Sequence, residues 1–326
     1  MTAPKSPDEP VSFEEAQRII GSKPGHLSNP DPSEVVPPEY LGRTAEDIDL
    51  DELAALDDGG LEGYRPDDAP MTAVPNFGAF DEDQVSEHTI AGRQWKINPL
   101  FSFPPEERQL LTDRSFPWRC AGLLTNSDGK AGSGVLIGGR VLLTARHLRP
   151  DRSISQGSWW VKFVPHGFDG TEPFGASFVS DLRRPTPSGP HFDMMVGRLY
   201  QPLGANIGFF GVQEWDDGWD GRPHFATIGY PGQFGGARPF FQSSCSGKEF
   251  DTEKDATLVT TKADLTKGNS GGPFWTFIRT SSGSLDPRVV GVVASEATAD
   301  GERVNLIASG DLMERLTNWA RTNWPV

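Results

Sequence analysis

Residues 267–273 read Lys267-Gly268-Asn269-Ser270-Gly271-Gly272-Pro273, so that a serine lies among glycines. Glycine has no Cβ and adopts positive φ without strain, and this pattern is typical of a tight turn that raises the serine hydroxyl clear of the backbone. Such a turn also exposes backbone N–H groups, expected here from Gly268 and Ser270, as fixed donors for an oxyanion. The stretch therefore predicts a nucleophilic serine at position 270.

A serine hydroxyl is a weak nucleophile and needs a neighbouring base. His147 closes the apolar run Val141-Leu142-Leu143-Thr144-Ala145-Arg146 and is predicted to lie just past the end of a strand. We expect it to act as the general base toward Ser270 and then as the general acid toward the leaving amine.

The base in turn needs an orienting carboxylate, for which Asp193 is the best candidate. It precedes Met194-Met195-Val196, which would bury it at the start of a strand, whereas Asp169 and Asp181 lack that context. The chain order His, Asp, Ser is one of the known triad orders. The neighbouring His191 is predicted to be structural.

With these motifs the chain resembles trypsin/chymotrypsin-type serine endopeptidases, closest to the bacterial V8-like (glutamyl endopeptidase) branch. The resemblance covers roughly the last two-thirds of the chain, and several motifs in the right order carry it. They are Gly132–Ile137, Val141–His147, Gly229–Gly232 and Gly268–Pro273, preceded by Glu106-Glu107-Arg108, Thr112-Asp113 and Phe116-Pro117-Trp118-Arg119.

The resemblance implies an all-β fold of two antiparallel six-stranded barrels with a C-terminal helix. The high content of glycine (37) and proline (28) suits such a turn-rich protein. The predicted division is an acidic, mostly disordered arm or pro-segment (1–75), a connecting segment packed on the protease (76–106) and the protease domain (107–326). Within that domain we expect barrel one at about 116–202, barrel two at about 203–309 and the helix at 311–322.

Three helices are predicted, two of them from capping patterns. Asp311 with Glu314 forms a capping box for the C-terminal helix, whose apolar face would include Leu316 and Trp319. In the largely irregular N-terminal extension, short helices are expected from Phe13 to Ile20 and from Thr44 through Leu56. The extension would be either a solvated tail or a functional segment, which would inhibit the enzyme or dock a regulatory partner protein.

Charge and hydropathy exclude several classes of partner. The formal net charge is −15, and about −14 of it lies in the first 100 residues, so no basic stripe exists for nucleic acid. No apolar run reaches the ~18 residues of a membrane span. Because no signal peptide is visible, we expect a cytoplasmic protein, with secretion by another route as the alternative. No cluster with metal-ligand spacing predicts a metal or other cofactor.

Substrate preference is less well defined by the sequence. Asp264 lies six residues before Ser270, where trypsin-like enzymes hold their pocket aspartate, and Glu296 falls near the far pocket wall. The resemblance also places pocket groups of V8-like enzymes near Val293 and Leu265, which are apolar here. We therefore expect no strong preference for Glu before the scissile bond, and a basic residue is favoured. The alternative is that Asp264 is turned away and hydrogen-bonded within the protein.

Three further expectations concern activation, cysteines and function. Asn269 carries no charge, so activation should not proceed through an ion pair with a newly freed amino terminus. Cys120 and Cys245 are either buried free thiols or a disulfide. The favoured function is hydrolysis of protein or peptide substrates through an acyl-enzyme. The alternative is a protease-like interaction scaffold that uses the acidic arm to bind a partner.

Overall fold

The computed structural model describes residues 36–56, 60–73, 105–299 and 302–326, together with short pieces at 10–12, 15, 75, 77–78, 89–90, 93–94 and 103. The strands are β1 (Pro10–Val11), β2 (Thr44–Ile48), β3 (Phe77–Gly78), β4 (Thr89–Ile90), β5 (Arg93–Gln94), β6 (Gln109–Leu111), β7 (Ala121–Asn126), β8 (Ala131–Leu136), β9 (Val141–Thr144), β10 (Val161–Pro165), β11 (Ser177–Pro185), β12 (Met195–Leu199), β13 (Gly211–Val212), β14 (Phe225–Gly229), β15 (Phe240–Cys245), β16 (Gly247–Glu253), β17 (Ala256–Thr261), β18 (Pro273–Arg279), β19 (Leu285–Ala299) and β20 (Glu302–Ser309). The α-helices are α1 (Leu50–Ala54), α2 (Asp151–Ser155), α3 (Leu203–Ile207) and α4 (Asp311–Asn323).

Strands β7 to β12 form a closed antiparallel barrel. The hydrogen-bonded order is β10-β7-β8-β9-β12-β11, and pairing of β10 with β11 closes it. Its interior is filled by large side chains with no exposed surface, among them Leu124, Leu142, Phe163 and Leu182. Closure pairs β10 with only the first residues of β11, Ser177 and Phe178, so the later part of β11 keeps an open edge on that side.

The second half of the chain, together with β3 and β6 from before the barrel, forms a longer sheet in the order β16-β17-β20-β19-β18-β14-β15-β6-β3. Its buried face carries the aromatic side chains of Phe225, Phe274 and Trp275. One of its strands, β16, could not be identified from the sequence. That strand, Gly-Lys-Glu-Phe-Asp-Thr-Glu, is largely exposed, and it therefore lacks the apolar alternation that identifies a half-buried strand.

The described part of the N-terminal extension is packed on the barrel. Strand β2 adds to β11 in parallel, from Thr44 opposite Asp181 to Ile48 opposite Pro185. The helix predicted from Thr44 through Leu56 is therefore wrong in its first half, because the open edge of β11 offers backbone hydrogen bonds that outweigh a weak local helix preference. Only α1 remains helical, capped by the side chain of Asp49.

The extension also contacts the C-terminal helix and contributes side chains to the core. Helix α1 contacts α4, where the Trp319 indole Nε1 donates to Glu52 Oε1 at 2.8 Å. Ile48 and Leu53 are 2% and 1% exposed, so both belong to the core of the protein. The helix predicted at Phe13–Ile20 and most of the connecting segment 76–106 lie outside the described residues.

Helix α4 forms as predicted but begins differently. Gly310 occupies the N-cap position with φ 98°, and no side chain caps the helix, so the predicted capping box of Asp311 and Glu314 is wrong. Glu314 is buried at 1% exposure and accepts a hydrogen bond from the backbone N–H of Glu214 at 2.7 Å instead. The carboxylate therefore binds a distant part of the chain and does not cap its own helix.

The two cysteines are separate, buried thiols, so the disulfide alternative is wrong. Cys120 packs in the core that spans the first barrel, and its Sγ lies 3.2 Å from the carbonyl oxygen of Gly208. Cys245 packs in a different cluster with Trp215 and Phe225. Burial raises the pKa of both thiols, which keeps them protonated.

Within the described ranges, no helix has the length and apolar character needed to cross a bilayer.

Candidate active site

His147 and Asp193 form a two-point contact at one end of the first barrel. The ring Nδ1 of His147 lies 2.8 Å from Asp193 Oδ2, and the backbone N–H of His147 donates to Asp193 Oδ1 at 3.0 Å. The carboxylate is nearly covered, with 11% of its side chain exposed, whereas 44% of the imidazole is exposed. Asp193 thus fixes the orientation of the ring and leaves Nε2 on the opposite, accessible edge.

The register of two strands explains why these residues meet although 46 positions separate them. β9 ends at Thr144 and β12 begins at Met195, and these two residues are direct partners in the antiparallel ladder. His147 follows the first strand end and Asp193 precedes the second, each in a short 3-10 segment or at its end. Pairing of β9 with β12 therefore brings the two side chains to the same rim of the barrel.

Ser270 lies in the turn that leads into β18, and two glycines make that turn possible. Gly268 has φ 99° and Gly271 has φ 82°, backbone conformations that residues with a Cβ rarely adopt. A Cβ at Gly268 would come within 2.1 Å of the carbonyl oxygen of Tyr230, and one at Gly271 within 2.2 Å of Thr144 Oγ1. The glycines around Ser270 are required by both dihedral angle and space.

Two peptide groups of this turn have their carbonyl oxygen in a hydrogen bond and their N–H on the opposite side. Gly232 donates to the carbonyl of Lys267 at 2.7 Å, and Gly272 donates to the carbonyl of Asn269 at 2.9 Å. In a trans peptide the N–H is opposite to the C=O, so the N–H groups of Gly268 and Ser270 point the other way. Neither has an acceptor within the described part of the chain.

The turn is docked against the first barrel by a residue that sequence analysis missed. Ser133 in β8 donates its backbone N–H to the carbonyl of Ser270 at 2.8 Å and its hydroxyl to the carbonyl of Gly268 at 2.6 Å. The same hydroxyl accepts from the N–H of Tyr230 at 3.0 Å. A serine between two glycines in an apolar strand, Gly132-Ser133-Gly134, was the available signal.

These contacts hold the Ser270 turn at the boundary between the first barrel and the second sheet, a boundary that we call the seam and that also includes His147 and Asp193. The backbone at Gly271 lies against Thr144 and Ala145, the residues that lead directly to His147. The Ser270 turn therefore lies against the chain segment that leads to His147, where the first barrel meets the second sheet.

Asp264 is buried and accepts hydrogen bonds from the protein backbone. It is 1% exposed, and its two carboxylate oxygens accept from the backbone N–H groups of Phe103 (2.6 Å) and Glu107 (3.0 Å). Burial raises the pKa of this carboxyl, an effect that the two backbone hydrogen bonds partly oppose. This arrangement matches the alternative in which Asp264 is turned away and hydrogen-bonded.

Glu296 differs from Asp264 in its surroundings. It lies on β19 opposite Asn305 and is half-buried, next to the exposed Ser295. Val293 and Leu265 are 5% and 3% exposed and pack in one apolar cluster, so neither supplies a polar group for an acidic substrate side chain.

His191 lies two positions before Asp193 and has its own partner. Its Nε2 is 3.1 Å from Asp251 Oδ2 on β16. The contact links the loop that carries Asp193 to the β16–β17 hairpin of the second sheet, a supporting role in agreement with the structural one expected for this histidine.

No family model matches the chain, and no curated protein matches it. Solved structures do match. A Glu endopeptidase in complex with MPD aligns over 66% of this chain and 97% of its own, with TM-score 0.54 and 19% sequence identity.

Two further solved structures align less closely. The protease Anisep from Arthrobacter nicotinovorans covers 66% of this chain and 99% of its own, with TM-score 0.47 and 19% identity. A thermostable serine protease AL20 from an extremophilic microorganism covers 63% and 98%, with TM-score 0.45 and 16% identity. The alignment with the Glu endopeptidase shows that this chain has the chymotrypsin-like fold, which confirms the predicted fold class and the resemblance at the level of the fold.

Proposed function

We propose that this chymotrypsin-like protein is a serine endopeptidase that cleaves protein or peptide substrates through His147, Asp193 and Ser270. The observation that carries the proposal is the two-point contact of Asp193 with His147 at the seam where the Ser270 turn is docked. The exposed imidazole and the two outward N–H groups of the turn are the parts that acyl transfer requires.

The reaction would proceed in two stages. Ser270 Oγ attacks the scissile carbonyl carbon while His147 Nε2 takes the hydroxyl proton, and the negative charge that develops on the carbonyl oxygen is held by the N–H groups of Gly268 and Ser270. His147 then gives the proton to the leaving amine as the C–N bond breaks. Water, deprotonated by the same imidazole, cleaves the resulting ester and restores Ser270.

Labelling with a fluorophosphonate probe tests this proposal. We expect the wild-type chain to be labelled at Ser270 and to hydrolyse a peptide library, and Ser270→Ala to lose both properties. His147→Ala should lose most of them while it remains folded. An unlabelled, inactive but folded wild-type protein would contradict the proposal and favour the interaction-scaffold alternative.

For substrate preference, we propose that Glu is not strongly favoured before the scissile bond. The apolar character of Val293 and Leu265 supports this, since neither can bind a carboxylate. A preference for Lys or Arg would depend on Glu296 rather than on Asp264, because both oxygens of Asp264 already accept backbone hydrogen bonds. Regulation by a partner protein bound to the N-terminal extension remains a prediction.

A further inference from the structure

Arg108 is a buried cation beside the Ser270 turn that the reaction itself does not use. Its side chain is 1% exposed, and Glu106 binds it with two oxygens, at 2.7 Å to Nε and 2.6 Å to Nη2. The remaining donors reach Thr266 Oγ1 at 3.0 Å, Asn269 Oδ1 at 3.4 Å and Gln233 Oε1 at 3.0 Å. A guanidinium presents its donors in a rigid planar fork, so these contacts fix the relative positions of the loops that carry the acceptors.

One of those loops controls the direction of the Gly268 N–H. Gln233 lies in a 3-10 turn with Gly232, and Gly232 donates to the carbonyl of Lys267 at 2.7 Å. That carbonyl belongs to the same peptide group as the N–H of Gly268. By holding Gln233, Arg108 keeps the carbonyl engaged and the N–H pointed away from it.

The other loop controls the Ser270 N–H. Asn269 is 1% exposed, its Oδ1 accepts from the Thr266 N–H at 3.1 Å, and its own N–H donates to the Thr266 carbonyl at 2.9 Å. Arg108 binds both of these side chains from the buried side. The peptide group between Asn269 and Ser270 is thereby held in one orientation.

The segment that carries Arg108 is itself fastened in place. Phe103 and Glu107 donate their N–H groups to the two oxygens of Asp264, two residues before Thr266. The chain around Arg108 is therefore tied to the loop before Ser270 at two points without any free amino terminus. An uncharged asparagine at 269 fits this arrangement, since Glu106 already neutralises the guanidinium.

We propose that Arg108 is a positioning residue that holds the Gly268 and Ser270 N–H groups in the orientation that stabilises an oxyanion, in the uncut chain. The inference deepens the proposed function and rests on it. It assigns to Asp264 and Glu106 the task of anchoring the arginine, and it predicts that no cleavage between residues 75 and 108 is needed for activity.

The test compares Arg108→Met with Arg288→Met in the full-length protein. Arg288 is a matched control because it is also buried (5% exposed) and bound to Asp286 and Gln213, each at 2.9 Å. We expect Arg108→Met to lower kcat by about 10- to 100-fold with KM changed less than about threefold, since it misaligns donors that act mainly in the transition state. Arg288→Met should retain the wild-type kcat at temperatures where it is folded.

Two further measurements separate positioning from general loss of structure. An added alkylguanidinium salt should restore part of kcat to Arg108→Ala and leave Arg288→Ala unchanged. Gln233→Met, at a half-exposed position, should lower kcat in the same direction by a smaller factor, and it carries the test should the Arg108 variants fail to fold.

The inference fails if Arg108→Met is folded and its kcat lies within twofold of wild type. It fails likewise if Arg288→Met loses as much activity as Arg108→Met. Should the Arg108 variants be unfolded, it fails if Gln233→Met keeps the wild-type kcat. It also fails if the wild type becomes active only after cleavage that creates a new α-amino terminus. A wild type that neither labels nor cleaves would instead overturn the proposed function, so the two failures are distinguishable.

Discussion

Asp193 holds His147 at two points, through the ring Nδ1 at 2.8 Å and through the backbone N–H at 3.0 Å. The second contact fixes where the residue lies, and the first fixes how its ring is turned. An imidazole held in this way by a nearly buried carboxylate leaves its Nε2 accessible for proton transfer with a group bound beside it.

Asp193→Asn tests the orienting role. The amide keeps the size of the side chain but favours the wrong ring tautomer, so we expect kcat to fall on the order of 10³- to 10⁴-fold with the fold intact. Asp251→Asn is the matched control, since Asp251 binds His191 only two positions from Asp193. Steady-state hydrolysis by the two variants, compared at the same pH, measures the difference. A loss below about tenfold in Asp193→Asn would contradict the assignment.

Substrate preference is tested at Glu296 and Asp264. With peptides that differ only in the residue before the scissile bond (Lys, Leu or Glu), Glu296→Gln should lower kcat/KM for Lys by about three- to tenfold and leave Leu unchanged, as expected for loss of one partly exposed charge. Asp264→Asn should alter stability and not the ratio of Lys to Leu. A wild type that cleaves mainly after Glu would refute this assignment.

The N-terminal extension is tested by truncation. Removal of residues 1–35 should lower the melting temperature slightly, because the pairing of β1 with β18 and the ion pair of Glu15 with Arg279 are lost. Removal of residues 1–75 should lower it much further and reduce activity, because β2 and the buried Leu53 are lost as well. The single change Leu53→Ala should cost about 2–5 kcal/mol of unfolding free energy. Leu50→Ala, at a half-buried position, should cost less. Higher activity after removal of residues 1–75 would show that the extension inhibits the enzyme.

The dependence of stability on pH is tested at His166, which is fully buried. Burial, followed by repulsion from Arg114, lowers its pKa from 6.5 to about 3. The neutral ring is therefore favoured in the folded state, so its contribution to stability is complete above pH 6.5 and is lost as the pH falls toward 3. By pH 4 the loss should reach ~3 kcal/mol.

The variant His166→Asn provides the comparison. The residue has φ 48°, a conformation that asparagine tolerates better than most residues do. Urea unfolding between pH 4 and pH 7 should show a smaller decrease for the variant than for wild type. Equal decreases would mean that other groups determine the acid sensitivity.

Much of this protein could be predicted from local sequence. The glycines around Ser270 indicated the turn because both dihedral angle and space exclude other residues there. Apolar runs predicted the strand before His147 and the strand after Asp193, since buried strands must be apolar. By contrast, β16 was missed because it is largely exposed, and Thr44–Ile48 was assigned to a helix because the edge of β11 that it completes lies more than 130 residues away.

The sequence by itself determined which chemical groups are available: a serine in a glycine-rich turn, a histidine after one strand and an aspartate before another strand. Only the tertiary structure decided which groups meet. Asp264 has the position of a substrate-binding carboxylate, yet it binds the backbone of Phe103 and Glu107, and Arg108 reaches residues more than 120 positions away. The physical reason is that buried polar groups must find partners, and which partners are within reach depends on how distant segments pack.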